Sequence, residues 1–192
     1  MAREEIPQDE LLRDSEKQLE KINLEARGLA GGLSRAQLHW TPPDGGWSVA
    51  QVFAHLATAN GSYVGPLRRA IQDDLGAGPR AHSTWRPSFF GGMLIRSLEP
   101  SARRGLPSPK SWRPTGGQPT ASLENFLDSQ AAILELLRAA RDVDLVRARL
   151  SSPVSRFIRL NVGDAFRVFV VHDWRHLGQV RRVMAREGFP AG

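Results

Sequence analysis

His172 and His176 stand four positions apart in the segment VVHDWRHLGQVRRVM. On a helix, residues four apart share one face and lie about one turn from each other. Two imidazoles so placed can reach one metal ion. The spacing is that of the zinc ligands in a helical HExxH motif, although the glutamate that acts as base there is absent from HDWRH. Direction matters more than spacing. At about 100° per residue, the apolar stripe of this segment holds Val162, Ala165, Phe166, Phe169, Val180, Val183 and Met184, and both histidines fall inside it. Two adjacent buried imidazoles need hydrogen-bond partners or a ligand, because an unpaired buried polar group is costly. Carboxylates or hydroxyls would meet that need; a metal ion would meet it for both rings at once.

His55 is the third candidate. It lies at the edge of the stripe formed by Val49, Val52, Phe53, Leu56, Tyr63, Leu67 and Ile71, beside Val52 and Ala59. Three neutral imidazoles make a catalytic zinc set that leaves a position for water or substrate. Gln51 and Ser62 share His55's side of its helix and are candidates to support it; Asn60 does not share that side. Arg175 and Gln179 flank the closing pair, to orient substrate or to lie on the surface. Asp173 points about 100° away from His172 and is expected at the surface rather than as a fourth ligand. His39 and His82 sit in loop-like contexts and are read as surface or packing residues. The sequence has no cysteine, which excludes disulfides, thiolate metal sites and a cysteine nucleophile, and leaves histidine, carboxylate or carbonyl ligands.

These residues need helices to position them. Leu11, Ser15, Leu19, Ile22, Ala26 and Leu29 recur at spacings of three and four, which predicts a helix from Asp9 to Leu29, closed at Gly31–Gly32. A short turn from Ser34 to Leu38 precedes the loop Thr41–Gly46. Ser48 and Gln51 then form a capping box, with Trp47 able to staple onto Val52, and open the helix that carries His55. Pro66 should kink that helix, and Gly76 or Gly78 should stop it. Residues 79–119 read as irregular apart from a short helix near Phe89–Leu98; Glu99 to Pro119 alone holds five prolines and three glycines. So long a loop in a compact domain usually serves function or covers something. The aromatic residues Trp85 to Phe90 and Trp112 are expected to pack under it, although they could cover a metal mouth or serve a dimer.

A third helix begins near Thr120 or Ser122, with Leu123, Phe126, Leu127, Ile133, Leu134 and Leu137 as its stripe. After a loop at Ser151–Pro153, Asn161 caps the last helix, which runs to about Glu187. No lasting strand alternation is read anywhere. The fold class is therefore all-α, a four-helix bundle with a long irregular crossover. Residues 1–8 form an N-terminal tail and 9–192 a single domain.

With 192 residues, 41% hydrophobic and 24% charged, the chain can bury one core without staples. The start MAREEIPQDE is acidic with no apolar core, so no signal peptide is read, and no apolar run has membrane-span length. The expected location is the cytoplasm, with no membrane partner. The net charge of +6 raises nucleic acid as a partner. The arginines are scattered, however, in pairs such as Arg68–Arg69 and Arg181–Arg182, and no zinc-finger, RNA-recognition or basic-zipper signature is present.

In PPDGGWSVAQVFAHLATAN, a Trp-Ser pair precedes a helix bearing one histidine; VVHDWRHLGQVRRVM closes on H-x-x-x-H followed by glutamine. Together with FGGMLIRSLEP, PSPKSWRPTGG and ENFLDSQAAILELLRAA between them, these stretches resemble the DinB/YfiT (DinB-like) superfamily over residues 10 to 187. The resemblance implies a four-helix bundle, often a homodimer, with nickel or zinc held by three histidines that fall on His55, His172 and His176. It also implies a metal-dependent enzyme acting on a small-molecule substrate. Relatives include thiol-dependent S-transferases, a mycothiol-dependent maleylpyruvate isomerase and metal-dependent hydrolases, so a low-molecular-weight thiol enters as a possible cosubstrate. The alternative is a non-catalytic, structural or stress-related metal-binding protein.

Overall fold

The computed structural model describes residues 5–99, 102, 108–114 and 121–192. Four long helices form the body: α1 (Gln8–Ala30), α3 (Val49–Leu75), α5 (Ser122–Ala139) and α6 (Val162–Met184), with short α2 (Arg35–His39) and α4 (Phe89–Leu98). Contacts run α1 to α5, α5 to α3, α3 to α6 and α6 back to α1, which closes a four-helix bundle; α4 leans on α6 from outside. The inward stripes of all four helices merge into one core, including Leu19, Ile22, Phe53, Leu67, Phe126, Ile133, Phe166 and Phe169.

The expected capping box at Ser48 is present, and the expected Asn161 cap is a capping box as well. Ser48 Oγ accepts from the Gln51 amide, and the Gln51 side chain accepts from the Ser48 amide. Asn161 and Asp164 do the same at the start of α6, at 2.7 and 2.9 Å. Each box satisfies two of the helix's orphan N–H donors. α3 continues through Pro66 to Leu75, and α6 ends at Met184, one turn short of the expected Glu187.

The sequence reading missed the strands. β3 (Arg149–Ser152) and β4 (Ser155–Asn161) form an antiparallel hairpin where only a loop was expected, with Leu150 opposite Leu160. β3 alternates exposed and buried over just four residues, and one inward position is the polar Ser152, bonded to Tyr63 Oη at 3.0 Å. So short an alternation with a polar inward residue carries little periodic signal. β1 (Ile6–Pro7) pairs with β2 (Thr84–Trp85), so the segment set apart as a tail joins the domain from Ile6, and Gln8 already opens α1.

The crossover is fastened at both ends of its early part. The Trp85 indole is fully buried and donates to Asn161 Oδ1 at 2.9 Å, tying it to the cap of α6. His82 is exposed and its Nδ1 meets the buried Asp144 carboxylate at 2.8 Å, which fits its reading as a surface residue. Burial alone would raise the Asp144 pKa. Hydrogen bonds from His82 and from the amides of Arg147, Ala81 and Val146 outweigh it and hold the carboxyl well below the usual range.

Candidate metal centre

The capping box at Ser48 fixes where α3 begins, and about two turns later the helix turns His55 inward. The register of α6, set by its own Asn161 cap, turns His172 and His176 toward it. The three rings offer nitrogens that all lie within 4.8 Å of one another. His55 Nε2 and His172 Nε2 are 3.3 Å apart. Ring centroids are 5.3 Å apart for His55–His172, 4.7 Å for His55–His176 and 4.6 Å for His172–His176. Among the described residues this is the one group of histidine and acidic side chains placed to hold an ion.

The Nδ1 contacts set the tautomers. The Trp112 carbonyl can only accept, so His55 donates Nδ1–H to it at 2.8 Å and presents a bare Nε2 lone pair to the cluster. His176 donates Nδ1–H to Gln179 Oε1 at 2.8 Å, with the same result. These are the outer partners that a metal-bound imidazole ordinarily has. All three rings are also held neutral. Burial pushes the His55 pKa down against the bond to Trp112. Burial, aided by the neighbouring His176, His55 and Arg175, pushes His172 well down. Burial, followed by the charges of His55, Arg175 and Arg182, brings His176 down to about 3. A neutral imidazole is the form that ligates.

The donor set therefore fits a divalent transition ion. Zinc–imidazole bonds of about 2.0–2.1 Å in a tetrahedral arrangement separate ligand nitrogens by roughly 3.3 Å, the spacing of the His55–His172 pair. Softer thiolate-demanding ions have no partner here, since the chain has no cysteine.

The neighbours differ from expectation in several places. Gln179, read as orienting substrate or lying on the surface, instead supports a ring, as its bond to His176 shows. Gln51 does not; its side chain is committed to the capping box. Ser62 also does not, because its hydroxyl turns back to the Ala59 carbonyl at 2.6 Å. Arg175 reaches over to the carbonyls of Glu99 at 2.9 Å and Ala102 at 3.5 Å, and so pins the crossover near the cluster. Asp173 is not a surface residue: it is fully buried, and Asn60, set aside in the sequence reading, donates to its carboxyl. The Trp47 ring stacks on His176 at 6.2 Å and tilts against His55 at 4.9 Å, roofing two of the three imidazoles. The Trp112 carbonyl was beyond sequence reasoning, since a backbone acceptor on an irregular loop leaves no side-chain signature. The pairing of Trp47 with the next helix was legible, but its place over the histidines was not.

Comparison with known proteins agrees with this architecture. No curated protein matches the chain. Among solved structures, YfiT from Bacillus subtilis, described as a probable metal-dependent hydrolase with an unusual four-helix bundle topology, aligns over 99% of this chain and 94% of its own. The TM-score is 0.61 at 19% identity, a likeness of fold. The sequence profile of the DinB superfamily matches residues 18–180, a span that takes in His55, His172 and His176 and the helices that carry them, and the chain belongs to that superfamily.

Proposed function

We propose that the protein binds one divalent transition metal, nickel or zinc, through His55, His172 and His176 and works as a metal-dependent enzyme of the hydrolase or thiol S-transferase type. The observation that carries the reading is the convergence of three neutral imidazoles within 4.8 Å, with His55 and His176 locked in the tautomer that frees Nε2. The description of YfiT as a probable metal-dependent hydrolase supports it, as does membership of the superfamily. When bound, such an ion lowers the pKa of a water or thiol in its open position and supplies hydroxide or thiolate near neutral pH.

The chain's own residues do the rest. Trp112 and Gln179 hold the ring orientations; Trp47 keeps water from two of the imidazoles; Arg175 fixes the crossover beside the cluster and adds positive charge there. The same reading includes a small-molecule substrate, with a low-molecular-weight thiol as cosubstrate, a cytoplasmic setting and a homodimer. The exposed side chains of Phe89, Phe90 and Met93 on α4 offer apolar surface for such pairing. No helix among the described residues is long and apolar enough to cross a membrane.

The test is elemental analysis of protein purified without a metal-chelating tag, beside His55→Ala and the His172→Ala/His176→Ala double variant. About one equivalent of nickel or zinc in the wild type, lost in both variants, is the expected result. A metal-free wild type that also fails to take up either ion would overturn the reading. Metal without turnover of any thiol conjugate or hydrolysable ester, together with a large loss of melting temperature on chelation, would make the centre structural instead.

A further inference from the structure

His55 and His176 each have Nδ1 secured by a hydrogen bond at 2.8 Å, but among the described residues no such bond holds His172. The polar group that stands there is the carboxylate of Asp173, with Oδ1 3.9 Å from His172 Nδ1. Asp173 is fully buried. Its oxygens receive only Asn60 Nδ2, at 3.3 Å each, and the fully buried Gln130 amide stands beside the carboxyl without closing a hydrogen bond. Three polar side chains from α3, α5 and α6 thus meet in the core behind one member of the histidine cluster.

As a device for stability this arrangement is poor. A carboxyl taken out of water and met only by long amide contacts costs free energy, and apolar side chains of the same volume would fill the space without that cost. No arginine or lysine pairs with Asp173 among the described residues. The placement makes sense through what Asp173 faces.

We propose that Asp173, anchored by Asn60, is the positioning residue of His172, holding the Nδ1 side of its imidazole so that Nε2 turns toward His55 and His176. The inference rests on the metal-centre reading above. It completes a pattern in which each ring has its own Nδ1 partner: a backbone carbonyl for His55, an amide for His176 and a carboxylate for His172. Carboxylate partners of this kind fix ring orientation and tautomer and raise ligand basicity. The present 3.9 Å is ion-pair distance; a hydrogen bond needs an approach closer by roughly 1 Å.

The experiment measures zinc affinity by competition with a chromophoric chelator, and the melting of the metal-free protein, for the wild type, Asp173→Asn and Asn60→Ala. Asp173→Asn keeps the volume and the contact to Asn60 but replaces the carboxyl that faces His172 Nδ1 with an amide. It is expected to weaken zinc binding about 10- to 100-fold while the metal-free melting temperature holds or rises, since the buried carboxyl is gone. Asn60→Ala, which leaves the carboxyl but frees it to turn, is expected to weaken binding by a smaller factor. Zinc affinity of Asp173→Asn within about twofold of wild type overturns the proposal, and so does a lowered metal-free melting temperature with unchanged affinity, the mark of a structural role alone. If Asp173→Asn does not fold, unchanged affinity in Asn60→Ala overturns it. A wild type that binds no zinc removes the metal centre itself, a failure distinct from a wild type that binds while Asp173→Asn binds equally well.

Discussion

His55 Nε2 and His172 Nε2 stand 3.3 Å apart although 117 positions separate them in the chain. Nothing local brings them together; the bundle does, by packing α3 against α6. An ion bridging them is therefore a clasp between two helices. A ligand that binds only the folded state stabilises it by about 2.7 kcal/mol at a hundredfold excess over its Kd, and in a chain of this size that raises Tm by roughly 5–11 °C. Thermal melts with and without zinc should show this rise in the wild type, its reversal by chelator, and none in the His172→Ala/His176→Ala variant. Equal shifts in both proteins would place the zinc elsewhere.

The metal-free protein should lose stability as the solution turns acid from about pH 6.5. His55, His172 and His176 are all held neutral in the fold, with pKa values below that of an unfolded histidine. Between the unfolded and folded values the unfolded chain binds more protons, so stability is intact above the unfolded pKa and falls as pH drops. The fall continues until the folded rings themselves take protons. Each such ring contributes up to about 1.4 kcal/mol per pH unit in that window. Urea denaturation at pH 7.5, 6.0 and 5.0 measures it, and the triple alanine variant should show a distinctly flatter profile over the same range.

Gln51 was read as a support for His55 and Gln179 as a residue that orients substrate or lies on the surface; the structure gives the ring contact to Gln179 instead. Gln179→Ala removes the acceptor of His176 Nδ1–H, and zinc affinity should fall about 10- to 100-fold with a small effect on melting. Gln51→Ala removes one half of the cap of α3. It should cost on the order of 1 kcal/mol of stability and leave zinc affinity unchanged. Chelator competition beside denaturant melts gives both quantities for each variant; the reverse assignment would show that the cap, and not the amide beside His176, governs the site.

The triad was legible because periodicity reports which face of a helix turns inward, and His172 and His176 share that face with Phe166, Phe169 and Val180. Asp173 was misread because it was measured only against His172, about 100° away. At that same angle per residue it falls on the stripe itself, four residues after Phe169 and seven before Val180, so the periodicity that turns the histidines inward buries it as well. Ser62 shows the converse. It shares His55's side of α3, but its hydroxyl is consumed by the local Ala59 carbonyl, a competition between side chain and backbone that wheel arguments leave out. The β3–β4 hairpin escaped because its alternation is too short to outweigh the loop-like Ser151–Pro153.

Gly163 offers the sharpest test of how the crossover is seated. It is the second residue of α6, and a Cβ built there would run into the indole of Trp85 and touch Leu11 Cδ2 at 3.0 Å. Neither neighbour can yield easily: Trp85 is fully buried and hydrogen-bonded to Asn161, and Leu11 belongs to the core. Gly163→Ala should therefore cost about 1–3 kcal/mol by overpacking, even though alanine is the better helix former. Trp85→Phe in the same chain should recover part of that loss, because the smaller ring makes room, although it also gives up the indole bond to Asn161. A double-mutant cycle from urea melts isolates the coupling, expected at about 0.5–3 kcal/mol between residues in contact. Zinc affinity should survive in Gly163→Ala, since the clash lies nine residues, about two and a half helical turns, before His172. Additive effects of the two substitutions would mean that the indole is not what Gly163 makes room for.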